Sequence, residues 1–284
     1  YLEALKDANC ARLAIVGCQD LKIVPAERIE PLGKAIRNRF GDIRIAAGSD
    51  AFFTEFNRNR ISKDMADAFV FSINPQVHAF DNLSITETLE GQEAVVKTAL
   101  AISGGKPVWV SPVTLKMRWN PNATGEEIVP QGELPSNVDV RQLNPFCACW
   151  SLASIGRMSN AGATLSTYYE LSGWKGLFEK EVGSKIPQKF PSTPLQVFPI
   201  YNVLTLLKGF EGGEVSIRET DKPLIACAYR IIKNEQTIEI LINLSDKTEA
   251  FKVDENPFDQ HNSSLLEWND QRQAAFGGKA RVEG

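Results

Sequence analysis

Five short apolar runs, separated by segments of helical pattern, constrain this chain more than any other feature. They are "RLAIVG" (12–17), "IRIAAGS" (43–49), "AFVFSIN" (68–74), "PVWVSPV" (107–113) and "ATLSTYY" (163–169). Runs this apolar and this rich in β-branched and aromatic residues predict strands buried on both faces. Between them lie "PAERIEPLGKAIRNRF" (25–40), "SITETLEGQEAVVKTALAIS" (84–103) and "LNPFCACWSLASIGRMSN" (143–160). In the second, Leu89, Val96 and Leu100 recur at helical spacing, with Glu90, Glu93 and Lys97 on the other side. Ser84 followed by Glu87 fits a capping box at its start, and "ISGGKP" closes it.

Strand and helix in repeated alternation mean parallel neighbours joined by right-handed crossovers. Both an open doubly wound sheet and a (β/α) barrel meet that condition. No GxGxxG fingerprint follows any strand, whereas polar and ionisable residues gather just after the strands, as on the active face of a barrel. The long, proline-punctuated segment from Leu115 to Arg141 also suits a loop on that face. After "FPIYNVLTLLKGF" (198–210) the pattern changes to "LIACAYRII", "TIEILINLS" and "EAFKVDE", which alternate with a period of two. The expected fold class is therefore α/β: the C-terminal part of a (β/α)8 TIM barrel followed by a small antiparallel β domain. Residues 1–212 are expected to supply about five βα units and residues 213–284 the β domain. The first three barrel strands are expected upstream of Tyr1.

Composition narrows the function. The chain has 284 residues, 43% of them apolar, and a formal net charge of −4. An acidic chain without a basic run excludes phosphate-backbone binding, so no nucleic-acid partner is expected. No apolar run is long enough to span a bilayer, and no membrane partner is expected. Cys10, Cys18, Cys147, Cys149 and Cys227 are odd in number and irregularly spaced, which points away from a disulfide framework and towards a reducing, cytoplasmic setting. The two histidines, His78 and His261, are far apart, and HxH, HExxH and CxxC patterns are absent. No metal and no cofactor is expected. A GxSxG elbow is also missing, which leaves carboxylate, histidine and arginine chemistry.

The candidates follow the strands. Glu55, in "SDAFFTEFNRNR", is a candidate acid, base or hydroxyl anchor, with Asn57 and Arg58 beside it as sugar-oxygen ligands. An ion pair with Arg58 or Arg60 is the structural alternative. His78 in "NPQVHAFD" is a candidate base, with Asp81 three residues on to orient its ring. Arg118 in "VTLKMRWNPNAT" offers charge to an oxyanion, and Trp119 a face for a sugar-like ring. In "STYYELSGWKG", Glu170 is a candidate catalytic carboxylate among Tyr168, Tyr169 and Trp174.

The runs "FTEFNRNR", "NPQVHAFDN", "ETLEGQ", "VSPVTLKMRWNPNAT", "VDVRQ" and "TYYELSGWKG" resemble the barrel of the D-apionate lactonase family. The similarity covers residues 12 to 210 and implies a glycoside-hydrolase-like barrel with flanking β domains. It further implies hydrolysis of an aldonolactone of the branched sugar apiose. The leading expectation is a sugar-lactone hydrolase in which His78 or a carboxylate activates water. Arg118 or Arg58 would stabilise the oxyanion, and Glu170 or Glu55 would protonate the ring oxygen. Two alternatives stand beside it. One is a glycoside hydrolase acting on a pentose-containing plant glycan through a carboxylate pair, although Glu55 and Glu170 then follow the fifth and eighth barrel strands instead of the fourth and seventh. The other is a non-catalytic carbohydrate-binding barrel. The partner in each case is a small sugar lactone or glycan, and no pattern fixes an oligomeric state.

Overall fold

The computed structural model describes residues 13–16, 22–250, 252–253, 266–268 and 274–276. Strands β1 (Leu13–Val16), β2 (Arg44–Ser49), β3 (Ala68–Ile73), β4 (Val108–Val113) and β5 (Leu165–Tyr168) form one sheet in chain order. Every neighbouring pair is parallel, as the alternating pattern predicts. Each connection carries a helix: α1 (Ala26–Phe40), α2 (Phe53–Arg58), α3 (Asn82–Ser103) and α4 (Pro145–Asn160).

Strand alternation sorts the apolar residues onto two faces. On one face Ile45 and Ala47 pack with Val24, Ala66 and Ile29 of α1. On the other, Ala46, Ala68, Val70 and Trp109 form a separate cluster with Leu165 against it. Asp67, just ahead of β3, accepts the Ile45 amide at 2.8 Å and pairs with Arg37 of α1 at 2.5 Å, which fixes the start of β2. Gly41 closes α1 with φ +79, its N–H donating to Arg37 O. Gly48 is demanded by close approach: a Cβ there would stand 1.6 Å from the Val70 carbonyl oxygen.

After α5 (Pro199–Leu207) the chain forms an antiparallel sheet of β6 (Glu214–Arg218), β7 (Ala226–Lys233) and β8 (Gln236–Asn243). The β7–β8 turn has two residues, with Asn234 at φ +53. A further hairpin joins β9 (Leu266–Trp268) to β10 (Ala274–Phe276). Two of the expected antiparallel strands match β7 and β8. The third strand of that sheet is β6, whose "EVSIR" is too polar and short to stand out. The expected strand over 249–255 lies partly outside the described residues, and its Val253 makes one bridge to Thr220.

By internal contacts the chain divides into two compact units, residues 1–78, 91–128 and 161–168, and residues 79–90, 129–160 and 169–284. The first holds the parallel sheet. The second groups α4 and α5 with the antiparallel sheet. The reason is visible at Tyr229 of β7, which is fully buried and donates its hydroxyl to Leu152 O at 2.9 Å. Its ring fills the space beside Gly156 of α4, where a Cβ would come within 2.5 Å.

These two glycines give an ordered prediction. Gly156→Ala meets the buried Tyr229 ring, which must be displaced, and costs about 1–3 kcal/mol in urea unfolding. Gly48→Ala meets backbone that cannot shift, and is expected to be the more destabilising of the two.

Candidate functional site at the carboxyl ends of the parallel strands

In the first unit the loops after β2, β3 and β4 are tied together at Asp50. Its carboxylate pairs with Arg118, and its carbonyl accepts the Trp119 indole N–H at 3.2 Å. Ser72, near the end of β3, donates to the same carbonyl at 3.2 Å and to Ala51 O. Gln76 is buried and donates to Leu115 O at 2.7 Å, joining the loops after β3 and β4. Arg118 and Trp119 thus sit after β4 as expected, but anchored to the end of β2. Asp50 escaped sequence reasoning because its partner lies 68 residues away.

Glu55 lies on α2: β2 stops at Ser49, and "FTEFNR" is helical. The i,i+3 pair Phe53 and Phe56 explains the helix. Phe53 meets Phe71 edge-on at 5.2 Å, and Phe56 packs at a tilt on Phe69 at 5.9 Å and Phe71 at 5.6 Å. Phe69 and Phe71 alternate with Ala68 and Val70, so α2 packs on the same side of the sheet as α1. Glu55 is 5% exposed there. Its Oε1 is 3.7 Å from Lys22 Nζ and 3.8 Å from Arg58 Nη1, and its Oε2 is 3.4 Å from Asn59 Nδ2. Lys22, from the segment after β1, also donates to Asn122 Oδ1 at 2.7 Å. Neither the Lys22–Glu55 pair nor the Lys22–Asn122 bond was legible from spacing. Asn57 is exposed and accepts from Arg60 at 3.1 Å, while Arg58 is 71% exposed.

His78 is exposed in the bend after β3. Asp81, in the second unit, has a structural task of its own. Its Oδ1 accepts the Ser84 amide at 2.9 Å, its Oδ2 the Ser84 hydroxyl at 2.7 Å, and its carbonyl the Ile85 amide at 3.1 Å. Asp81 is therefore the cap of α3, one turn ahead of the expected Ser84–Glu87 box, and Glu87 stays exposed. The Ser84 amide, and then its hydroxyl, hold the Asp81 carboxyl below the ordinary range.

Tyr168 ends β5 and is buried. Tyr169 follows at φ +62, a conformation rare for a non-glycine residue. Its hydroxyl is held 2.8 Å from Ser151 Oγ and 3.4 Å from Cys147 Sγ. Glu170 is half-exposed, with Oε1 2.8 Å from Lys175 Nζ, and its amide donates to Lys175 O at 2.8 Å. Trp174 is partly buried: its indole donates to Ser184 Oγ at 3.0 Å and its ring lies 6.1 Å from Phe190. The loop is drawn tight by Gly176, where a Cβ would stand 2.6 Å from Ser172. Gln142, missed by sequence reasoning, is buried and donates to Gly176 O at 2.9 Å. Glu179 was missed as well. It is 1% exposed and accepts from the Lys180 amide at 2.8 Å and from Ser192 Oγ.

Burial pushes the Cys147 thiol up to about 12 and the Cys149 thiol to about 11, so both are poor nucleophiles. Among the described residues no group of three His, Cys, Asp or Glu is placed to hold a metal ion. None of the described helices is long and apolar enough to cross a membrane. Cys10, Cys18 and His261 lie outside the described residues.

Asp81 gives a direct prediction. A lowered folded pKa contributes stability above the ordinary aspartate range and loses it as pH falls through the lowered value. Asp81→Ala should raise amide exchange at Ser84 and Ile85 about fivefold, and Asp81→Asn should raise it less.

The family described as "D-apionate lactonase, TIM barrel domain" matches residues 7–212. A relative from Brucella anthropi named D-apionate lactonase is 32% identical over 151 residues, 52% of this chain and 25% of that protein. The match thus spans about a quarter of that relative's length. The X-ray structure of the endo-β-1,4-mannanase from Thermotoga petrophila is similar at a TM-score of 0.36 and 10% identity, over 77% of this chain and 54% of that one.

Proposed function

Because this chain belongs to the D-apionate lactonase TIM-barrel family, we propose that it is the barrel portion of a hydrolase that opens a hydroxylated sugar lactone to its acid. The observation that carries this reading is the family match across the strands whose carboxyl ends bear the candidate groups. The name of the Brucella relative supports an apionolactone-like substrate.

In the proposed mechanism His78 takes a proton from water as the water oxygen bonds to the lactone carbonyl carbon. Arg118, anchored by Asp50, stabilises the charge that develops on the carbonyl oxygen. The ring C–O bond then breaks and the departing oxygen takes the proton back from the His78 imidazolium. Trp119 and Tyr168 supply apolar walls. Glu55 receives a supporting role on α2, since it is 5% exposed and lies between two cations. Asn57 and Arg58 are then secondary ligands at most, and Asp81 serves the helix. The free thiols of Cys147, Cys149 and Cys227 suit a reducing, cytoplasmic setting.

A pH-stat assay of the full-length protein on a panel of aldonolactones tests this. His78→Asn and Arg118→Gln are each expected to lower kcat/KM by about 100-fold or more. Wild-type turnover in both variants overturns the assignment, and a wild-type protein that opens no lactone overturns the activity.

A further inference from the structure

Near the ends of β4 and β5, the side chains of Ser111 and Thr167 meet at 2.7 Å. They stand on neighbouring parallel strands whose register pairs Trp109 with Leu165 and Val110 with Ser166. The register shifts between Val110 and Val113, so Ser111 is placed by its 2.7 Å contact with Thr167, which alternation puts on the side of Leu165. That is the face lined by Ala46, Ala68 and Val70, opposite the one covered by α1. Thr167 is exposed and Ser111 partly so, whereas Trp109 one layer below is 3% exposed. The strand positions that would hold bulky branched residues in a closed barrel layer thus carry two small hydroxyls.

A Ser–Thr pair satisfies itself only in part. Each hydroxyl has one donor and two acceptor positions. The mutual bond consumes one of each, which leaves a donor and several acceptor positions above an apolar floor. This is the complement of a small polyhydroxylated ring, with hydroxyls that both donate and accept and C–H faces that prefer apolar contact. A carboxylate or phosphate would instead require a cation, and the pair itself provides none.

We propose that Ser111 and Thr167 form a hydroxyl-binding subsite that selects hydroxylated over deoxygenated lactone rings. This rests on the lactonase reading above for its substrate, but not for its ligand chemistry. Compare kcat/KM of the full-length protein for an aldonolactone and for unsubstituted γ-butyrolactone. Thr167→Val and Ser111→Ala should each compress the wild-type preference about tenfold, chiefly through KM, while Thr167→Ser retains it. An uncompressed preference in both folded variants overturns the subsite. If the wild-type protein opens no lactone, the lactonase reading fails, and the subsite is judged by NMR titration with an anhydropentitol. A saturable shift of the Thr167 methyl, lost in Ser111→Ala, supports it. An unmoved methyl overturns it.

Discussion

A parallel sheet joined by helical crossovers must bury both of its faces, and that requirement governs most of this structure. Along β2, β3 and β4 nearly every position is apolar, because one side meets α1 and α2 and the other the Ala46–Trp109 cluster. Only the last residues of each strand and the loops after them escape this demand. Polar groups therefore concentrate where the strands end, and their chemistry is a consequence of the fold's own packing rule.

The rim so formed has two sides with different characters. On the α1 side, Glu55 is enclosed by Lys22, Arg58 and Asn59, an arrangement that stabilises a helix and its loop. On the other side an exposed Thr167 and a partly exposed Ser111 meet above Trp109. Asp50 ties the loops together by holding Arg118 and Trp119 to the end of β2. A guanidinium fixed in this way is oriented before a ligand arrives, which is the condition for stabilising a developing charge without reorganisation.

The sequence made the five parallel strands legible because continuous apolar runs are their direct signature, and the helices because their periodicity is strong. Features set by pairing across distance were hidden. Asp50 and Arg118 are 68 residues apart, and Lys22 and Asn122 are 100 apart. Local signals were also misread where two compete. Asp81 and Ser84 both suit a cap, and only the observed bonds decide for Asp81. The phenylalanines of "AFFTEF" lie outside the apolar strand runs, and only their partners Phe69 and Phe71 reveal that Phe53 and Phe56 use a helical i,i+3 spacing. The strand "EVSIR" carried too little alternation to be seen at all.

The central claim is that ligand chemistry belongs to the Ser111–Thr167 face and not to the enclosed carboxylate on α2. A crystal structure of the full-length protein with an unreactive lactam analogue of an aldonolactone tests it most directly. The account predicts ring hydroxyls within hydrogen-bonding distance of Ser111 and Thr167. An analogue seated between Glu55 and Lys22 would contradict it.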